Sequence, residues 1–366
     1  MLQEGLKNVV ATKTAISFIN GKEGKLIYRG YSVNDLVMRF SFEEIVYLLW
    51  YGQIPNKIEL NSFMHTLKIH RNLPSYVYGI IEKLPKEIDM MSKIRTVISS
   101  IGTRDFKWKP TISEAVQLTA VIPTIIANLY RKEKNLKCVA PRQELNHIEN
   151  YLYMITGKLP SSIQVKILET YMILTMEHGL NASTFAARVI TSTESDIVSA
   201  AVGAMGAMKG TLHGGALLDV FNMLHEIEDK KNAESWLRRK LENKERIMGF
   251  GHRIYKTNDP RAAILRKTIS QFREKDTWLE LAIYIEELAL QLLKEYKPTQ
   301  HLYTNVDFYA AVIMKALNID PVLFTPTFSV SRIAGWSAHI LEQSENNTIF
   351  RPESLYIGEV CEINLK

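Results

Sequence analysis

Leu279-Glu280-Leu281-Ala282-Ile283-Tyr284-Ile285-Glu286-Glu287-Leu288-Ala289-Leu290-Gln291-Leu292-Leu293-Lys294-Glu295-Tyr296 reads as an amphipathic helix. Glu280, Glu287 and Gln291 share one polar face at helical spacing, and leucines and isoleucines fill the rest. The same period recurs over 34–50, 87–102, 113–132, 143–156, 161–178, 196–209, 260–273, 305–317 and 329–342. Strand-like text is confined to the beginning. Ala15-Ile16-Ser17-Phe18-Ile19 and Lys25-Leu26-Ile27-Tyr28 flank Asn20-Gly21 and Gly24, which marks a small hairpin. The alternation of strand and helix that builds a doubly wound sheet is absent. The fold class is therefore all-α with a small N-terminal β-hairpin.

The chain has 366 residues, 46% of them apolar and 23% charged, which suits a globular protein with a large core and excludes a disordered one. Its two cysteines, Cys138 and Cys361, are far apart, which excludes a disulfide scaffold and a zinc ribbon. The start, Met1-Leu2-Gln3-Glu4-Gly5-Leu6-Lys7, has no apolar signal region. The apolar run 118–130 is too short to span a bilayer and holds Pro123, so a buried helix is expected there. Reduced thiols and a cytoplasmic location follow, with no membrane partner. The net charge of +6 favours anionic partners. The densest basic stretch, Arg238 to Arg246, is broken by Glu242 and Glu245 and lacks interleaved aromatics, so it reads as a solvated helix face, not a nucleic-acid platform. Glycines at 210–215 and prolines at 321 and 326 bracket about a hundred residues, read as an inserted helical domain hinged at both ends.

Three motifs fail on inspection. His225-Glu226-Ile227-Glu228-Asp229 lacks the second histidine of a zinc-protease helix, and no metal is expected. Lys209-Gly210-Thr211 has the wrong order for a phosphate loop, and Gly249-Phe250-Gly251 has Ile254 where a dinucleotide fingerprint needs its third glycine. Four segments carry more. In Thr211-Leu212-His213-Gly214-Gly215-Ala216 the glycines let a ligand approach a histidine that a helix N-terminus keeps neutral. A neutral imidazole can hydrogen-bond a developing enolate, although a capping or core histidine fits this segment too. In the stretch Met248-Gly249-Phe250-Gly251-His252-Arg253-Ile254-Tyr255-Lys256 an exposed loop is expected to present His252. Asp259-Pro260 then caps a helix, with Arg261 in its first turn against the dipole. Thr304-Asn305-Val306-Asp307-Phe308-Tyr309 sets one carboxylate among apolar neighbours, as a cap or a general base. Phe328-Ser329-Val330-Ser331-Arg332 buries an arginine with no acid three or four residues away, so its partner is distant or a ligand. An acid, two histidines and several arginines suit proton abstraction beside a carbonyl, followed by attack on a second carbonyl held by carboxylate clamps.

With these segments, and with Gly5-Leu6-Lys7-Asn8-Val9-Val10, Tyr28-Arg29-Gly30-Tyr31 and Glu177-His178-Gly179-Leu180-Asn181-Ala182-Ser183-Thr184-Phe185, nearly the whole chain resembles the citrate synthase family in its short archaeal and bacterial form. The resemblance implies a large helical domain (1–213 and 317–366), a smaller one (214–316) that closes over the site, and a homodimer. It implies an acyltransferase of class EC 2.3.3 that condenses acetyl-CoA with oxaloacetate and water, with no cofactor, since the coenzyme A thioester is a substrate. By motif match Asp307 is the base, His213 stabilises the enol or enolate, and His252 protonates the oxaloacetate carbonyl. His178, Arg261 and Arg332 hold oxaloacetate, Phe328 packs near the product, and Arg351 reaches the neighbouring subunit's site. The backbone of Met248, Gly249, Phe250 and Gly251, with Lys256, faces coenzyme A. The family often has His and Glu where this chain has Thr175 and Gly179, and Ser-Gly where it has Ala310-Ala311, so pocket packing can differ. A 2-methylcitrate synthase using propionyl-CoA shares the same residues, because one methylene in an apolar pocket is worth only about 1–3 kcal/mol. A helical binding module that has lost its activity would lack catalytic residues, and Asp307, His213 and His252 are all present.

Overall fold

The computed structural model describes residues 3–271 and 277–360, so Cys361 and the last two residues of the 260–273 segment lie outside it. Sixteen α-helices, two short 3₁₀ helices and three short strands make up the regular structure among the described residues. The expected hairpin is present. β1 (Ser17–Asn20) pairs antiparallel with β2 (Lys25–Tyr28), and β3 (Tyr31–Ser32) adds a short third strand beside β2.

The segment 34–50 is two helices, α1 (Val33–Arg39) and α2 (Phe42–Tyr51). The break has a local cause: the Ser41 hydroxyl accepts from Glu44 N–H, and the Glu44 carboxylate takes Ser41 N–H at 2.7 Å, starting a new helix. Two helices that the periodicity did not reveal follow, α3 (Lys57–Ile69) and α4 (Ser75–Lys83). In each only two residues are buried, so the apolar stripe is thin. Then come α5 (Met90–Ile101), α6 (Ile112–Glu133), α7 (His147–Thr156) and α8 (Ser162–Thr175). Capping boxes open α3, α6, α7 and α8, each satisfying two orphan N–H groups. α6 runs through Pro123 and is long and apolar enough to cross a bilayer, yet most of its apolar window is buried within the protein.

α9 (Ala182–Ser192) and α10 (Ile197–Met208) pack closely together, and α16 (Phe324–Glu345) lies across α9, α10, α6, α2 and α8. α16 begins before the expected position 329, because Pro326 falls in its first turn, where a missing N–H costs nothing. Arg188 of α9 is buried and ties α16 down, donating to His339 Nδ1 and Gln343 Oε1 at 2.9 Å each and pairing with Glu342. Between α10 and α16 the chain forms α11 (Ala216–Ile227), α12 (Lys230–Glu242), α13 (Pro260–Gln271), α14 (Thr277–Tyr296) and α15 (Val306–Ala316). These pack mainly on one another, and α13 and α15 lean on α8. The basic stretch on α12 is a solvated, salt-bridged face: Arg238 meets Glu234 and Glu295 at about 3 Å, and Lys240 meets Glu245 at 2.6 Å. The seam where α8 and α16 meet α11, α13 and α15 is where the chemistry-bearing segments come together.

Candidate active site

Asp307 stands in the first turn of α15, where the Asn305 side chain caps its N–H at 3.1 Å. It lines a narrow cavity with His213, Arg261 and Phe328, and Leu217 and Ala310 supply apolar wall. Burial pushes its carboxyl pKa up to about 6, against the pull of Arg261 and Arg332 and with the help of Asp259. Four sequence-picked residues therefore meet in one hollow. His252 lines an adjoining groove and reaches the cavity through Arg261, its Nε2 lying 3.4 Å from the guanidinium. His178 is buried edge-to-face against His252, ring centroids 5.4 Å apart, with its Nε2 3.2 Å from the Tyr255 hydroxyl.

All three imidazoles are held neutral. Burial, and then Arg332, lowers His213 to about 4; burial, and then Arg261, lowers His252 to about 4. Burial and Arg261 hold His178 well below the usual range. Neutral rings have one N–H each, so its location matters. His252 Nδ1 accepts from the backbone N–H groups of Ile254 and Tyr255 at 3.0 and 3.1 Å, which puts the ring proton on Nε2. That N–H and the Arg261 guanidinium are two donors side by side, an arrangement that an oxygen between them satisfies. His213 Nε2 lies 2.8 Å from Ser183 Oγ, which donates to Asn181 Oδ1 at 2.8 Å and accepts from Trp336 Nε1 at 3.0 Å. Asn181 Oδ1 also caps α9 through Thr184 N–H, so one amide oxygen holds both Ser183 and the helix start.

The arginines are held differently. Arg261 is gripped by Asp259, Nε to Oδ1 at 3.0 Å and NH2 to Oδ2 at 2.8 Å. Asp259 Oδ1 also caps α13 through Arg261 N–H, and Oδ2 accepts Val306 N–H at 3.1 Å, so one carboxylate joins the starts of α13 and α15. The charge that Arg261 brings into a first helical turn is thus matched by the cap beside it. Arg332 donates from Nε to Thr175 O at 2.7 Å and stacks its guanidinium over Phe328 at 4.6 Å, while NH1 is buried without a partner. Burial lowers its pKa to about 10, partly offset by Glu177. Its nearest balancing acid is therefore distant in sequence, and the orphaned NH1 suits a ligand oxygen.

The groove beside the cavity is lined by the basic residues Arg246, Arg253 and Lys297, to none of which the sequence reading gave a role. Phe250 and Gly251 line it; Met248 and Gly249 do not, and Gly249 is buried against Phe308. Lys256 is exposed, with Nζ on Arg253 O at 3.3 Å. The loop is less open than its glycines imply, because Phe250, Tyr255 and Asp259 are buried. Arg351 sits exposed in the segment after α16 and does not line the cavity. Ser183, Tyr255 and Asp259 join the site through contacts that spacing did not reveal, though Asn181 and Asp259 carry cap signals. Among the described residues no cluster of three or more His, Cys, Asp or Glu could hold a metal.

A folded pKa of about 6 against 3.8 for the free group weakens folding as pH rises through that window, by about 3 kcal/mol once the group is ionised. Asp307→Asn is therefore expected to melt at a higher temperature than the wild type near about pH 7, with the gap closing toward about pH 4. Thermal melts across that range check it, and equal melting temperatures at neutral pH would contradict the enclosed carboxylate.

Comparison with known proteins gives the family. The sequence profile of "Citrate synthase, C-terminal domain" matches residues 5–353. Citrate synthase 2 of Bacillus subtilis is 42% identical over 363 residues, covering 97% of this chain and 95% of that protein. A 2-methylcitrate synthase of Mycobacterium tuberculosis is 40% identical, covering 98% and 91%. The crystal structure of citrate synthase from Thermotoga maritima superposes with a TM-score of 0.90 at 37% identity, covering 100% of this chain and 98% of that one. A ternary complex of the Thermoplasma acidophilum enzyme with carboxymethyl coenzyme A and oxaloacetate gives 0.91 at 30% identity, with the same coverage. Profile, relatives and fold coincide over almost every residue: the chain is a member of the citrate synthase family.

Proposed function

We propose that this protein condenses acetyl-CoA with oxaloacetate and water, releasing citrate and coenzyme A. The observation that carries the reading is the pairing, in one apolar hollow, of a carboxylate with a raised pKa and a neutral imidazole. Asp307 removes a proton from the thioester methyl, giving an enolate whose oxygen the neutral His213 ring stabilises. The enolate carbon attacks the oxaloacetate carbonyl, and His252 Nε2–H passes its proton to the oxygen that becomes the hydroxyl. Water then cleaves the thioester, so the coenzyme leaves as a thiol. A carboxylate near pKa 4 would be a weak base for such a C–H, and enclosure raises its strength. Arg261, Arg332 and His178 hold the dicarboxylate, with Arg332 NH1 free for one of its oxygens. Arg246, Arg253 and Lys297 give the groove the charge that coenzyme A phosphates need.

In the same reading, 214–316 is the smaller domain that closes on the larger, excluding water until condensation is complete. The chain works as a homodimer. Arg351 lies on an exposed segment with Leu355, Tyr356, Ile357 and Val360, apolar groups that a second subunit would cover as Arg351 reaches its site. Propionyl-CoA is a second donor, because Leu217, Ala310 and Phe324 give the acyl group an apolar wall and relatives of both names are similar to this chain to nearly the same degree.

Free thiol released from acetyl-CoA or propionyl-CoA with oxaloacetate tests the activity. Wild type is expected to release thiol, and Asp307→Ala to lose on the order of 10²–10⁴-fold in kcat while still binding oxaloacetate. No thiol from either donor would defeat the reading, and a much higher kcat/KM with propionyl-CoA would make the protein a 2-methylcitrate synthase. Light scattering is expected to give the mass of two chains or a multiple of it; a monomer would remove the role given to Arg351.

A further inference from the structure

The hairpin at the start of the chain touches both histidine segments on the oxaloacetate side of the site. At its root, Ser17 Oγ donates to Glu177 Oε1 at 2.8 Å and the Tyr28 hydroxyl donates to Glu177 O at 2.8 Å, just before His178. Glu177 is fully buried, and its Oε1 also takes Gly179 N–H and His339 Nε2–H, so the turn carrying His178 is held on both sides. At the tip, Lys256 N–H donates to Gly21 O at 2.8 Å. The approach there is too close for any side chain: a Cβ on Gly21 would lie 2.2 Å from Ile254 O, and one on Gly24 would lie 2.8 Å from Asn258 O. The residues under the tip are the ones that lock His252, because Ile254 and Tyr255 supply the two N–H groups on its Nδ1. None of this is required to make a hairpin turn.

We propose that the β1–β2 hairpin is a positioning element for oxaloacetate, bracing the His178 turn with its root and the 254–258 loop with its tip so that the two imidazoles keep one spacing. Gly21 is its key residue, acting through the loop and not on substrate. This rests on the functional reading above for the identity of the ligand. The brace itself is a contact that can be read without any ligand.

Gly21→Ala forces the tip off Ile254 while leaving ordinary backbone angles available, and Gly24→Ala is the second variant should the first not fold. Lys22→Ala, exposed on the outside of the turn, is the control. Hydrogen exchange of peptides covering 252–258 in the ligand-free proteins is expected to be about tenfold faster in Gly21→Ala than in wild type and unchanged in Lys22→Ala. Oxaloacetate KM is expected to rise about tenfold or more, with kcat falling less, since the base and its cavity are untouched. Exchange and oxaloacetate KM equal to wild type in a folded Gly21→Ala would overturn the brace. Wild-type protein that binds no oxaloacetate by calorimetry would overturn the functional reading instead, and the exchange comparison would still decide whether the hairpin holds the loop.

Discussion

Asp259 and Arg261 form the ion pair on which the rest of the site depends. A guanidinium sealed beside Asp307 would ordinarily drag that carboxyl down and make it a poor base. Asp259 faces Arg261 with both oxygens, so much of that positive charge is already matched when it reaches Asp307. The same carboxylate caps α13 and receives the first N–H of α15, so it fixes the distance between the two helix starts as well as the charge between them. Burying such a pair costs desolvation, and the geometry offsets that cost by filling both carboxylate oxygens.

Neutrality is the second constraint. Three imidazoles surrounded by two arginines cannot afford protons of their own, and burial keeps them uncharged. What remains is a set of neutral, fixed imidazole rings around a space that suits a dicarboxylate and a thioester. Their orientation comes from neighbours that do no chemistry: backbone N–H groups behind His252, and the Ser183–Asn181–Trp336 cluster behind His213. In the proposed reaction this matters more than raw charge, since developing negative charge is met by dipoles already in place.

Much of this was legible in the sequence. The helical period marked most of the long helices, the Asn-Gly text marked the hairpin, and motif segments more than a hundred residues apart named four of the residues that line the cavity. The failures have physical causes. α3 and α4 bury so little that their stripe is faint, and the α1–α2 break depends on a serine cap inside a continuous apolar pattern. Asp259 looked like a cap because it is one, and its tie to Arg261 and α15 exists only in three dimensions. Lys297 enters the groove from the end of α14, with nothing in its neighbourhood to mark it. The 248–259 loop was expected to be open from its glycines, whereas Phe250 and Tyr255 turn inward and pack.

The central claim is that Asp259 and enclosure together set the basicity of Asp307. Carbon-13 NMR of aspartate-labelled protein, with Asp307→Asn to assign the signal, measures it directly. Asp307 is expected to titrate at about 6 in the wild type and distinctly lower in Asp259→Asn, where Arg261 loses its partner and acts on Asp307 unopposed. An Asp307 that titrates near 4 in the wild type, or that does not move when Asp259 loses its charge, would contradict the account.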